Sequence, residues 1–107
     1  MTEVQHHLKE HINLKFFVTM FDPVRYELVG HLADGKERSI NEIAEQFPQD
    51  RSVISRHLEQ LHAQKIVTKE KRSRYTFYAL DCEFVTQQFE KASRILRDLM
   101  DSHQAEE

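Results

Sequence analysis

The chain has 107 residues and a net charge of −3, with 39% hydrophobic and 31% charged residues. This length and balance are typical of one globular domain, spanning residues 1–107, and exclude a disordered chain. No apolar run approaches the roughly 18 residues of a membrane span, the polar N-terminus predicts no signal peptide, and a single cysteine excludes an internal disulfide, so we expect a cytoplasmic protein.

The first part of the chain predicts two helices. An apolar residue recurs every four positions near the N-terminus, at Val4, Leu8, Ile12 and Phe16. This period predicts an amphipathic helix over about residues 3–20. Asp22 is a favourable N-cap and Pro23 suits the first helical position, so a second helix is predicted to start there and to end near Gly35.

The middle of the chain predicts two further helices joined by a tight turn. Ser39 followed by Glu42 fits a capping box, so a short third helix begins there and ends before Pro48. Asp50 can cap the fourth helix with its side chain. One side of the fourth helix is a row predicted to be buried, consisting of Ile54, Leu58 and Leu61. The opposite side is polar and holds Ser52, Ser55, Arg56 and Glu59.

The last part predicts a β-hairpin and a fifth helix. Residues 66–68 and 75–78 are β-branched or aromatic, which predicts paired strands, with residues 69–74 as their connection. A helix then runs over about residues 81–102, where Asp81 can cap it. Its apolar residues recur at alternating steps of four and three, which suits packing on another helix. The predicted fold is mainly α with a small β-hairpin: five helices and a wing, in the order of a winged helix-turn-helix.

The charge is distributed unevenly along the chain. Residues 51–75 contain seven Lys or Arg and two Glu, a net charge of +5 in a chain whose total is −3. Because a helix-turn-helix offers its second helix to the major groove, we expect this basic window to bind double-stranded DNA. Arg56 can pair with a guanine edge, whereas His57 flanks the buried row and suits a structural role or a phosphate contact. The predicted DNA-binding residues are Arg51, Ser52, Ser55, Arg56, His57, Lys69, Lys71, Arg72 and Arg74.

Four segments together resemble the ArsR/SmtB-type winged-helix regulators: FDPVRYELVGHL, SINEIAEQF, RSVISRHLEQLHAQKIV and RSRYTFYAL. The resemblance covers roughly residues 16–82, and its most specific part is residues 53–58. It implies a homodimer, joined by its first and last helices, that represses transcription at a DNA operator and releases DNA on binding an effector that the sequence does not identify. The predicted interface consists of Leu8, Ile12, Phe16, Val85, Phe89, Ala92, Leu96 and Leu99.

Three features depart from that family's pattern. The turn before the fourth helix usually carries a glycine, and the chain has Pro48. The family's wing usually carries Gly-Arg, and the chain has Ser73 followed by Arg74, which predicts a wider or more mobile wing. Neither of the family's familiar metal sites is matched. Residues 39–41 contain no cysteine, and residues 81–83 contain no histidine. The later ligand positions of the second site are Arg94 and Arg97. We therefore expect no metal or other cofactor at these positions.

Two alternatives to a metal-free repressor stay open. One is an effector sensor that uses His7 and His11, four residues apart on one helix, as a metal site, or Cys82 as a redox group. The other is a winged-helix module that binds another protein. An enzyme is not expected, because the sequence has no Gly-rich phosphate loop, nucleophile elbow or HExxH motif.

Overall fold

A computed structural model describes residues 2–105 of the chain. Its elements, in chain order, are α1 (Glu3–His11), α2 (Leu14–Met20), α3 (Pro23–His31), β1 (Arg38–Ser39), α4 (Ile40–Ala44), α5 (Arg51–Ala63), β2 (Val67–Arg72), β3 (Tyr75–Leu80) and α6 (Cys82–Ala105). The mainly α fold with a β-hairpin is confirmed. The chain forms two compact units: Lys15–Cys82, and the N-terminal segment to Leu14 together with the C-terminal segment from Glu83.

The Lys15–Cys82 unit is built around α5, against which α3, α4 and β2 pack. The predicted buried row is confirmed, since Ile54, Leu58 and Leu61 have no exposed surface. Burying a large aliphatic side chain stabilises a fold by about 1.5–3 kcal/mol, so this row fixes which side of α5 faces the core. Its other side consequently faces solvent. The rest of the core includes Phe16, Leu28, Leu32, Ile43 and Ile66.

Local capping determines where α3 and α4 begin. Asp22 accepts hydrogen bonds from the backbone N–H groups of Val24 and Arg25, at 3.1 and 3.2 Å. Ser39 and Glu42 form the predicted capping box: Ser39 Oγ accepts from the Glu42 N–H at 3.2 Å, and Glu42 Oε1 accepts from the Ser39 N–H at 3.0 Å. Both predicted caps are confirmed.

The two ends of α5 differ from a simple capped helix. Asp50 occupies the N-cap position, but its side chain makes no cap hydrogen bond. Asp50 is thus the predicted cap residue, but its carbonyl oxygen, which accepts from the N–H groups of Val53 and Ile54, closes the first turn, and the expected side-chain cap is not formed. At the other end, the Ile66 N–H donates to the Leu61 carbonyl at 3.0 Å and the Lys65 N–H to the His62 carbonyl at 2.9 Å. This is a Schellman motif, with Lys65 at a φ of +63° where glycine is usual.

The predicted first helix over residues 3–20 is wrong, because the chain breaks between α1 and α2. Ile12 is extended, with φ −98° and ψ 125°. Ile12 is β-branched and Asn13 can bond its own backbone, so neither favours a continuous helix. The described residues therefore form six helices instead of five. Phe16 lies in α2 with no exposed surface, so its predicted place in a dimer interface is corrected to a place in the core.

The sheet has the order β1-β3-β2 and is antiparallel throughout. Arg72 pairs with Tyr75, so Ser73 and Arg74 alone form the turn, and the predicted connection over residues 69–74 is wrong. The wing, defined as residues 67–80, is consequently tight and not wide. Ser73 adopts a φ of +58°, which costs an L-residue about 1–2 kcal/mol and is offset by the pairing of the strands.

In the other unit, α1 and α6 leave apolar side chains exposed. No residue of α1 is buried. On α6, Phe89, Leu96 and Met100 are 42%, 49% and 60% exposed. A groove between the two helices is lined by Val4, Leu8, Leu96, Leu99, Met100 and His103. No helix of the described residues is both long and apolar enough to cross a membrane.

Candidate nucleic-acid interface

The solvent-facing side of α5 carries two arginines without internal partners. Arg51 and Arg56 are exposed, and neither makes an ion pair or a side-chain hydrogen bond within residues 2–105. Ser52 is exposed and Ser55 is half-buried on the same helix. Short serines beside an unpaired guanidinium let a helix backbone approach the edge of a base pair closely.

His57 is linked to α3 by Arg25. The Arg25 guanidinium lies 3.2 Å from His57 Nδ1 and donates at 2.6 Å to Gln60 Oε1. Its Nε also donates to the Thr19 carbonyl oxygen at 2.6 Å. These contacts favour the structural role predicted for His57 over base reading. Arg25 was not among the predicted site residues, although it lies in FDPVRYELVGHL, the first of the four segments that carry the family resemblance.

Lys69, predicted to bind DNA, is paired with a glutamate of α5. Its Nζ lies 2.7 Å from Glu59 Oε1, and the buried Tyr78 hydroxyl donates to the same carboxylate oxygen. The hydrogen bonds from Lys69 and Tyr78 hold the pKa of Glu59 below its ordinary value. Burial, followed by the neighbouring carboxylate, raises the pKa of Tyr78, so its hydroxyl stays a donor. The sequence predicted Glu59 only as part of the polar side of its helix.

Arg72 is similarly paired on the other face of the hairpin. Its guanidinium forms a two-pronged pair with the Glu37 carboxylate, with one N···O distance of 3.0 Å. It also donates to Glu70 at 3.0 Å and lies 4.0 Å above the centre of the Phe77 ring. The hydrogen bond from Arg72 lowers the pKa of Glu37. No local sequence signal identifies Glu37, because it lies 35 positions from Arg72.

The two remaining wing cations are unpaired. Lys71 and Arg74 are exposed and have no internal partner within residues 2–105. Lys71 lies on the same face of β2 as Lys69, two positions closer to the turn, and Arg74 is in the turn itself. The predicted DNA-binding residues therefore separate into unpaired cations on α5 and at the wing tip, and wing cations held by glutamates.

The candidate sensor residues lie elsewhere. The exposed His7 and His11 rings have centroids 4.5 Å apart on α1. Cys82 is an exposed free thiol at the start of α6. Arg94 and Arg97, further along the same helix, are also exposed. Within residues 2–105, no group of three His, Cys, Asp or Glu side chains is arranged to hold a metal ion.

Comparisons with known proteins agree with this architecture. A family model described as a helix-turn-helix domain matches residues 20–70. The crystal structure of a possible transcriptional regulator for arsenical resistance is 34% identical, over 83% of each chain, with a TM-score of 0.60. A search of curated protein sequences gave no match.

Two more distant structures share the fold. An ArsR-like transcriptional regulator from Rhodococcus sp. RHA1 is 21% identical, with 97% of this chain and 92% of that chain covered and a TM-score of 0.76. The transcriptional repressor BigR from Xylella fastidiosa is 24% identical, with 91% and 92% covered and a TM-score of 0.61. The chain belongs to the ArsR family of winged helix-turn-helix proteins, and it is therefore a DNA-binding transcriptional regulator and not an enzyme.

Proposed function

We propose that this regulator is a cytoplasmic homodimeric repressor that places α5 in the major groove of a double-stranded operator and the wing tip against the adjacent backbone. The observation that carries the proposal is the set of unpaired cations on one unit: Arg51 and Arg56 on α5, and Lys71 and Arg74 on the wing. In a chain of net charge −3, such a set is best explained by a polyanionic partner.

The cations have different roles in this proposal. Arg56 reads a guanine through a bidentate pair, with Ser52 and Ser55 beside it. Such a pair contributes about 1–3 kcal/mol of discrimination against the wrong base. Arg51 in the first turn of α5 contacts a phosphate or a base edge. Lys71 and Arg74 contact phosphates, which position the protein but carry no sequence information.

The homodimer is proposed from the exposed apolar residues of α1 and α6. Phe89 and Leu96 are exposed, and the neighbouring apolar side chains are half-buried. Together they would be covered by a second copy, as the family resemblance implies: Leu8, Ile12 after the end of α1, and the seam Val85, Phe89, Ala92, Leu96 and Leu99. A continuous apolar patch of this kind marks an interface more often than a free surface. A symmetric dimer then offers two copies of α5 to two half-sites of one operator.

The proposed repressor uses no metal at the family's familiar positions. The segment at Ser39 supplies a capping box instead of thiolates, and Arg94 and Arg97 are cations that cannot act as metal ligands. The effector that releases the DNA is then a different ligand or a partner protein.

The test is a fluorescence-anisotropy titration with a duplex selected from a random pool by the unchanged protein, and with an unselected duplex. Arg56→Ala should lose about 1–3 kcal/mol on the selected duplex and little on the unselected one. Lys15→Ala, which removes an exposed positive charge from α2, is the control and should leave both affinities nearly unchanged. A full-affinity Arg56→Ala protein with unchanged preference would refute the role of α5.

A further inference from the structure

The wing contains two pairs of neighbouring cations in which one member has an internal carboxylate partner and the other has none. Lys69 and Lys71 lie on one face of β2, and Lys69 alone has an internal carboxylate partner, Glu59. Arg72 and Arg74 flank Ser73 at the turn, and Arg72 alone is paired, with Glu70 inside the wing and with Glu37 outside it. In each case the paired cation joins the wing to another element: Lys69 to α5, and Arg72 to the segment before β1.

The Glu59 carboxylate is held in place from two directions. The hydroxyl of Tyr78, which is 2% exposed, donates to the same oxygen that Lys69 contacts. Because that oxygen accepts from a buried donor, Glu59 is positioned beside β2 by a contact that does not depend on Lys69. Arg72 is held by two contacts. The edge of its guanidinium group donates to the Glu37 carboxylate, and the face of the same group lies over the Phe77 ring.

Moving a cation from a glutamate to a DNA phosphate adds little to the free energy of DNA binding. Binding of an unpaired cation to a phosphate releases a condensed counterion, which is the source of salt-dependent affinity. A cation that leaves a glutamate for a phosphate exposes the glutamate, which then attracts a cation from solution. Loss of the ion pair with the glutamate, and repulsion between the freed carboxylate and the phosphates, offset what the new phosphate contact contributes to affinity.

We propose that Glu59 and Glu37 withdraw Lys69 and Arg72 from the DNA and use them to hold the wing on α5 and on the segment before β1. Lys71 and Arg74 are then the wing's phosphate contacts. This inference rests on the proposed function, and it makes Glu59 a positioning residue that also limits sequence-independent binding. It revises the sequence prediction that all four cations bind DNA.

The experiment measures how the affinity for an unselected duplex varies with salt, using the full-length protein. Lys71→Ala should flatten the log–log slope by about 0.9 for each phosphate that the protein no longer neutralises, and thus by about twice that in a dimer. Lys69→Ala, the matched variant two positions away, should leave the slope unchanged. Arg74→Ala and Arg72→Ala form a second matched pair with the same expectation.

Removing the Glu59 carboxylate should have the opposite effect on the salt dependence of DNA affinity. Glu59→Gln keeps an oxygen that can accept from Tyr78 but removes the negative charge that holds Lys69, so the log–log slope should steepen by about 0.9 per subunit. The double variant Glu59→Gln with Lys69→Ala should return to the slope of the unchanged protein. Circular dichroism of each variant checks that it is folded, and Glu59→Gln serves even where an alanine variant unfolds.

The possible failures are distinguishable. A Lys69→Ala slope as flat as that of Lys71→Ala would overturn the inference while leaving DNA binding intact, and so would a Glu59→Gln slope that does not steepen. Absence of salt-dependent DNA binding by the unchanged protein would overturn the proposed function itself, and this inference with it.

Discussion

Arg25 is expected to be a main contributor to the stability of the contact between α3 and α5. Its side chain is 14% exposed and donates to a carbonyl on α2 and to Gln60 on α5, beside His57. A hydrogen bond from a charged donor contributes about 1.5–3 kcal/mol, and partial solvation of the freed acceptors recovers some of the sum. We therefore expect Arg25→Ala to lower the free energy of unfolding by about 2–4 kcal/mol.

The assay is urea denaturation followed by circular dichroism at one fixed protein concentration, because dimerisation makes apparent stability depend on concentration. The urea concentration at the midpoint of unfolding should fall, with little change in the dependence of the free energy of unfolding on urea concentration. Arg25→Lys should recover only part of the stability, since an ammonium cannot reproduce the fork of a guanidinium. Glu27→Ala, at an exposed position on α3, is the control and should change stability by less than about 0.5 kcal/mol. Equal midpoints for Arg25→Ala and Glu27→Ala would refute this account of Arg25.

Three other predictions concern the dimer, the pH dependence and the effector. Leu96→Glu should give monomers with weak operator binding, because a charge would enter the apolar seam, and sedimentation showing a monomer for the unchanged protein at micromolar concentration would contradict the proposed interface. Lys69 and Tyr78 hold the pKa of Glu59 below its ordinary value of 4.5, so that carboxylate stabilises the fold above pH 4.5 and the stabilisation is lost as the pH falls further. In urea titrations, the free energy of unfolding of Glu59→Gln should therefore fall less than that of the unchanged protein as the pH is lowered below 4.5. Zinc or a chelator should not change DNA affinity, and a tenfold loss with zinc, about 1.4 kcal/mol of coupling, would make His7 and His11 the candidate ligands.

The features that local sequence determines were predictable. The spacing of Ile54, Leu58 and Leu61 identifies the buried side of α5 because only one helix face can hold three apolar residues at those steps. Ser39 and Glu42 are three positions apart, so their capping box needs no information from elsewhere in the chain. These local signals were enough to predict the helix-turn-helix. They were also enough to predict that Arg56 lies on the exposed side of α5.

The features that depend on distant residues were not predictable. Glu37 and Arg72 meet only after β1, β2 and β3 have formed a sheet, so neither position alone indicates an ion pair. The tight turn at Ser73 was missed for a related reason. A serine by itself disfavours a positive φ angle. The pairing of β2 with β3 from Val67 to Arg72 nevertheless imposes that angle on Ser73. The break after His11 depends on small differences in propensity at Ile12 and Asn13, which the regular apolar period concealed.

The positive φ angles at Lys65 and Ser73 lie on either side of β2. Each is a left-handed conformation that an L-residue adopts at a cost of about 1–2 kcal/mol. The Schellman motif of α5 holds Lys65 in this conformation, whereas the pairing of β2 with β3 holds Ser73 in it, so release of β2 from the sheet relieves the strain at Ser73. Local opening therefore requires less free energy in this strand than global unfolding does. The turn at Ser73 is accordingly where the wing can adjust its shape to a DNA backbone, while the Lys69–Glu59 and Arg72–Glu37 pairs hold β2 to the rest of the Lys15–Cys82 unit.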